Sequence, residues 1–139
     1  MGDIAMGKKM EYSGKYHLSR FEFGYAKWFA LKYPEWLQEY NRLKDSVSAM
    51  NYDKLPGGSG KVDDSTARLA TKRAELREKM LKVERCAFDA GGEISEYIFQ
   101  AVIYEDVTFE DMKAKGLPCE RTMFYERRRK FYFLLNQMI

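Results

Sequence analysis

Apolar positions along this chain recur at steps of three and four residues, the spacing that lines one face of a helix, and almost nowhere alternate as a half-buried strand would. Ser19 with Glu22 three residues later has the spacing of a capping box, and Phe21, Tyr25, Trp28, Phe29 and Lys32 follow at helical intervals, which predicts a first helix over 19–33. Pro34 disfavours helix in the residue before it and opens a new one well. A second helix is therefore expected over 35–50, with Trp36, Tyr40, Leu43, Val47 and Met50 as its stripe. Pro56, Gly57, Gly58, Ser59 and Gly60 break the pattern and predict a flexible loop over 51–64. Asp64 or Ser65 is placed to cap a long third helix over 66–90, in which Leu69, Arg73, Leu76, Met80, Val83 and Ala87 step by four and three until Gly91 and Gly92 stop it.

Beyond that stop, Ile94, Tyr97, Ile98, Ala101 and Val102 recur as a helix over 94–104, although the apolar run from Tyr97 to Tyr104 would also suit a strand. Thr108 and Asp111 then cap and charge the start of a short helix over 108–115. Gly116 suits the left-handed residue that ends it, Leu117 is placed to drop into the core, and Pro118 suits a turn. A last helix over 119–136 repeats Leu117, Phe124, Phe131 and Met138 every seven residues, with Leu134 and Leu135 beside them. The fold class expected is all-α: an amino-terminal helical hairpin or coiled coil followed by a carboxyl-terminal helix-turn-helix unit. Residues 1–16, rich in Gly, Lys and Met without periodicity, are expected to be a mobile arm. Residues 17–92 form the expected hairpin and dimerisation region, and residues 93–139 the helix-turn-helix unit. Aromatic and methionine residues at helical spacing are taken as core throughout.

Charge changes this picture in one place. Seven lysines and arginines face two glutamates across residues 112–130, a local charge of +5, while the whole chain of 139 residues carries +3, so the remainder is −2. Localised positive charge is what phosphate neutralisation requires, and arginine adds bidentate contacts to guanine edges. On the last helix Arg121, Tyr125 and Arg128 fall on one face with Arg129 beside them, away from the apolar stripe. A short capped helix, a glycine turn and a basic, aromatic second helix is the arrangement that lays a helix into the DNA major groove. The competing reading of Arg127 to Lys130 is a solvated helical face.

Other chemistry finds little footing. Cys86 and Cys119 lack the paired spacing of a zinc site, with only His17 to add, so no metal or cofactor is expected. Cys119, near a helix amino terminus, is expected to have a lowered pKa, yet it has no base beside it for catalysis, and the chain reads as a non-enzyme. Gly58-Ser59-Gly60-Lys61 has the look of a phosphate loop, but Val62 stands where a magnesium ligand belongs. At 45% hydrophobic the chain can bury one respectable core or two small helical units. It has no apolar run long enough for a membrane span and no signal-peptide region at its start, so the expectation is a cytoplasmic protein without membrane contact.

The order of these parts is similar to a known family. A helical pair, a Pro/Gly-rich loop, the helix start Asp64-Ser65-Thr66-Ala67, a long charged helix and the closing Thr122-Met123-Phe124-Tyr125-Glu126-Arg127-Arg128-Arg129-Lys130-Phe131 resemble the RinA/ArpU-like phage transcriptional regulators of Gram-positive bacteria, whose terminal unit resembles sigma-factor region 4. The resemblance runs from about Pro34-Glu35-Trp36-Leu37 to residue 135. The chain departs from the pattern at the acidic Ile103-Tyr104-Glu105-Asp106-Val107 and at Pro118-Cys119-Glu120. The resemblance implies a dimeric, sequence-specific regulator of late phage or prophage genes that binds double-stranded DNA, with RNA polymerase as a further partner. Arg121, Tyr125, Arg128 and Arg129 would contact bases and phosphates, and Lys113 and Lys115 the flanking backbone. The alternative from another class is a phage assembly, DNA-packaging or protein-interaction module with weak, non-specific DNA binding.

Overall fold

The computed structural model describes residues 14–53 and 60–139, with side-chain surroundings given for 15–46 and 64–139. These residues are helical and contain no strand. Six α-helices follow in order: α1 (Arg20–Leu31), α2 (Tyr33–Asp53), α3 (Gly60–Gly91), α4 (Ser95–Ile103), α5 (Phe109–Ala114) and α6 (Arg121–Met138), with 3-10 turns at Gly14–Tyr16 and Gly92–Ile94. The segment 94–104 is thus a helix, and the strand alternative falls away. Its neighbours are all helical, so no strand partner is at hand for an isolated run.

Two expected boundaries move. α2 continues to Asp53 and α3 begins at Gly60, so the loop foreseen over 51–64 is bordered more closely by helix, and Asp64 and Ser65 lie inside α3 rather than capping it. Once a helix is nucleated, each further residue adds a hydrogen bond for one fixed backbone unit, so growth past a weak stop signal is favourable. Of the arm expected over 1–16, Gly14–Tyr16 form a turn whose Tyr16 ring lies 5.7 Å from that of Phe133 in α6. Residues 1–13, and Gly58 and Ser59 of the phosphate-loop-like stretch, lie outside the described residues.

The described residues cluster into two compact units, one holding those up to Tyr33 together with Lys82–Ile139, the other those within Pro34–Leu81. This division differs from the one expected at residue 92, because α1 packs on α6 and α4. In the second unit, Trp36 and Leu43 of α2 are buried, as are Leu76 and Met80 of α3. The register is antiparallel: the Lys79 ammonium sits over Trp36 at 5.6 Å, and one turn on the Arg73 guanidinium covers Tyr40 at 4.1 Å. Lys72 lies 3.8 Å from Glu39 along the same seam.

The first unit is organised around α6. Phe124, Phe131 and Leu135 are fully enclosed, as their spacing predicts, while Met138 at the end of the same stripe is exposed and meets the Cys86 thiol at 3.2 Å. α4 contributes Ile98, Ala101 and Val102 to this core. α1 contributes Ala26, Phe29 and Ala30, and the Phe23 ring stands edge-on to Tyr132 at 5.0 Å. The Asn136 amide donates to the Glu22 carbonyl at 3.3 Å, tying the two helices at their polar margin.

One expectation about α1 is reversed. Phe21, Tyr25 and Trp28 are 82%, 52% and 55% exposed, so most of the aromatic stripe is not core. Helices pack with axes about 8–10 Å apart, and the alanines at 26 and 30 permit that approach where the aromatic face would hold α6 away. Phe131→Ala should therefore lower stability by about 3–5 kcal/mol, whereas Phe21→Ala should shift it by no more than about 0.5 kcal/mol. Urea unfolding of both variants checks the assignment of the two faces.

Candidate functional site

The basic segment is built on α5, the turn after it and α6. Thr108 caps α5 with a complete capping box: its hydroxyl accepts from the Asp111 amide at 3.1 Å, and the Asp111 carboxylate accepts from the Thr108 amide at 2.9 Å. Those hydrogen bonds, the one from the Thr108 amide first, hold the Asp111 pKa below the ordinary aspartate value. At the other end Gly116 adopts φ +101°, which a residue with a side chain rarely takes, and its amide donates to the Lys113 carbonyl at 3.0 Å. The Leu117 amide donates to the Met112 carbonyl at 3.0 Å. Met112, Leu117 and Phe124 are buried and fill the angle between α5 and α6.

Three of the expected contact residues lie against the rings of Phe109 and of the fourth, Tyr125. The Tyr125 hydroxyl accepts from the Phe109 amide at 3.2 Å. The Arg128 guanidinium lies over the Tyr125 ring at 4.7 Å, with Nη1 3.5 Å from the Val107 carbonyl. Arg121 covers the Phe109 ring at 5.0 Å and forms an ion pair with Glu110. The Lys113 ammonium donates to the Cys119 carbonyl at 3.3 Å and lies 5.8 Å from the Phe109 ring. Arg121, Lys113 and Lys115 are exposed, whereas Tyr125 and Arg128 are half-buried and engaged within the unit. Arg129 is half-buried too, and its Nε is enclosed with no hydrogen-bond partner.

Arg127 does something its place in the basic run did not announce. Its Nη1 donates to the Gly91 carbonyl at 2.9 Å and lies 3.5 Å from that of Ala90, while Nη2 approaches Glu93 to 3.7 Å. A cation on the unsatisfied carbonyls at a helix carboxyl end is favoured by hydrogen bonding and by the helix dipole. Gly92, at φ +58°, makes room for it, since a Cβ there would sit 2.9 Å from Nη1. The Gly91-Gly92 stop signal was visible in the sequence, but the arginine that uses it is thirty-odd residues away.

The thiols behave oppositely to the expectation for Cys119. Burial pushes its pKa up, outweighing Lys113 and Arg127 nearby, and burial pushes Cys86 up to about 11. A thiol enclosed in apolar surroundings loses the solvation of its anion, which the few partial charges of a helix start do not replace. Among the described residues no His, Cys, Asp or Glu side chains converge in a metal-binding group, and no helix is long and apolar enough to cross a membrane. An open depression of about 290 Å³ is lined by Tyr33, Phe88 and Phe99 together with Glu84 and Glu96. The Tyr33 hydroxyl donates to Glu84 there at 2.5 Å.

The capping box makes a pH-dependent prediction. A carboxylate whose pKa is lowered on folding stabilises the protein above the ordinary aspartate range, and that contribution is lost as pH falls through the lowered value. Asp111→Asn should thus melt below the unsubstituted protein at neutral pH, with the gap closing in acid. Thr108→Ala should cost about 1 kcal/mol at neutral pH. Thermal melts from neutral to strongly acidic pH test both. No family, characterised protein or solved structure was found to match the chain.

Proposed function

We propose that the chain is a DNA-binding regulator that presents α5 and the amino-terminal half of α6 to duplex DNA as a helix-turn-helix. The observation that carries this reading is the joint between the helices: a six-residue capped helix, a glycine at φ +101° and an 18-residue helix closed on one small apolar core. It leaves Lys113, Lys115 and Arg121 exposed on the outer side. Such a joint positions cations along a phosphate backbone, and the start of the second helix can then approach base edges. The resemblance to RinA/ArpU-like regulators supports the same reading, extends it to late phage genes with RNA polymerase as a second partner, and suggests a dimer, as do the short helical seams. The antiparallel seam of α2 and α3 fits the hairpin that such a regulator would carry beside its DNA-binding unit.

Tyr125 and Arg128 take a different place in this proposal from Arg121. Their contacts to Phe109 and Val107 make them the support of the reading helix, and Arg121 the contact residue, since its surface pair with Glu110 is weak enough to open on meeting phosphate. That internal engagement favours a second reading, an assembly or DNA-packaging module with sequence-tolerant binding.

Gel-shift titrations with duplex fragments from the encoding region, at two salt concentrations, separate the readings. Lys115→Ala and Arg121→Ala should each weaken binding and reduce the salt slope by about one. Arg121→Ala should also narrow the preference between fragments, by about 1–3 kcal/mol if it reads a base. Equal affinity for every fragment, unaltered by Arg121→Ala, would support the packaging module instead. Sedimentation at tens of micromolar, an order-of-magnitude test of weak association, reads the dimer.

A further inference from the structure

The aromatic face of α1 is unused by the core and lies outside the α5–α6 surface. Phe21, Tyr25 and Trp28 occupy one side of the helix at steps of four and three, all exposed, with Lys32 continuing the line. The Tyr25 and Trp28 rings are parallel within 8°, their centroids 6.4 Å apart. Arg20 lies over Phe21 at 5.9 Å, and Lys32 over Trp28 at 6.0 Å. On a helical projection Arg20 and Lys27 form a second row beside the aromatic one, and Gly24 falls between the two.

Gly24 leaves this part of the face without a side chain. A glycine inside a helix weakens it relative to alanine. At Gly24 an added Cβ would meet nothing within 4 Å among the described residues. The position leaves a shallow, open floor between a ridge of rings and a ridge of cations.

Charge selects the occupant. Apart from Glu22, whose carboxylate is held by the Ser19 amide at 2.8 Å in the helix cap, the charged side chains of α1 and its cap are the cations Arg20, Lys27 and Lys32. A second copy docking by the same face would set like charges against one another, which costs affinity. Three aromatic residues of about 150–250 Å² each, at these exposures, also present less than the roughly 800 Å² per partner of a stable interface. An anionic ligand with flat faces satisfies both ridges, because bases stack on exposed rings while phosphates meet the cations.

We propose that this face binds single-stranded nucleic acid, its bases stacking on Tyr25 and Trp28 and its backbone lying over Gly24 toward Arg20 and Lys27. The proposal does not rest on duplex binding by α5 and α6, and either can fail without the other.

The test follows Trp28, the exposed one of two tryptophans, during titration of the full chain with a short oligothymidylate; Trp36 is 7% exposed and serves as a quiet background. Quenching that saturates is expected. Trp28→Ala should weaken binding about tenfold to a hundredfold, followed by anisotropy of a labelled strand. Lys27→Glu should weaken it and flatten its salt dependence. Gly24→Ala should raise the melting temperature while lowering strand affinity several-fold, an opposition that a purely structural role does not produce. Unaltered strand binding by all three folded variants would overturn the proposal. So would absence of binding by the unsubstituted chain, or quenching by phosphatidylserine-containing vesicles and not by the oligonucleotide. Duplex gel shifts on the same variants should be unchanged, which keeps this surface distinct from the α5–α6 one.

Discussion

The constraint on which the first unit depends is the burial of one side of α6. Phe124, Phe131 and Leu135 are removed from water completely, and α1, α4 and α5 each close over part of that stripe. A helix whose apolar residues are enclosed this fully has its rotation about its own axis set, since turning it by one residue would expose a phenylalanine and bury an arginine. Everything the basic run can do follows from that orientation. Arg127 is turned toward the end of α3, Arg128 toward Val107 and Tyr125, and Arg121 toward solvent beside α5.

The cations of the run therefore divide by role, although they are adjacent in sequence. Arg127 satisfies carbonyls left open where α3 ends, and Gly91 allows the close passage of α4, since a Cβ there would come within 2.9 Å of Ser95. Arg128 and Tyr125 brace the start of α5. The exposed charges lie earlier, at Lys113, Lys115 and Arg121, around a turn held by Gly116. A short loop with a fixed glycine is stiff, so the charges on its two sides keep a constant separation.

The aromatic face of α1 and the basic turn are thus two surfaces produced by one packing decision. Ala26, Phe29 and Ala30 of α1 turn inward, and Phe21, Tyr25 and Trp28 are left outside. The acidic depression near Phe88 has a different character, with carboxylates rather than cations beside its rings.

The sequence by itself determined the helical stretches apart from the edges of the loop expected over 51–64 and the run from Tyr97 to Tyr104, which also suited a strand. Periodicity, the capping boxes at Ser19 and Thr108, and the glycines at 91, 92 and 116 are local signals, and each acts through backbone hydrogen bonds within a few residues. It also determined the stripe of Leu117, Phe124 and Phe131, because a seven-residue repeat of large apolar side chains leaves α6 one face to bury. Tertiary structure alone decided which face of α1 turns inward, since alanines and aromatics are both apolar and only the distance between helix axes chooses between them. It decided too that Arg127 caps α3 while Arg121 meets solvent, and that burial raises the Cys119 pKa, since each depends on a neighbour brought near by folding and not by order along the chain.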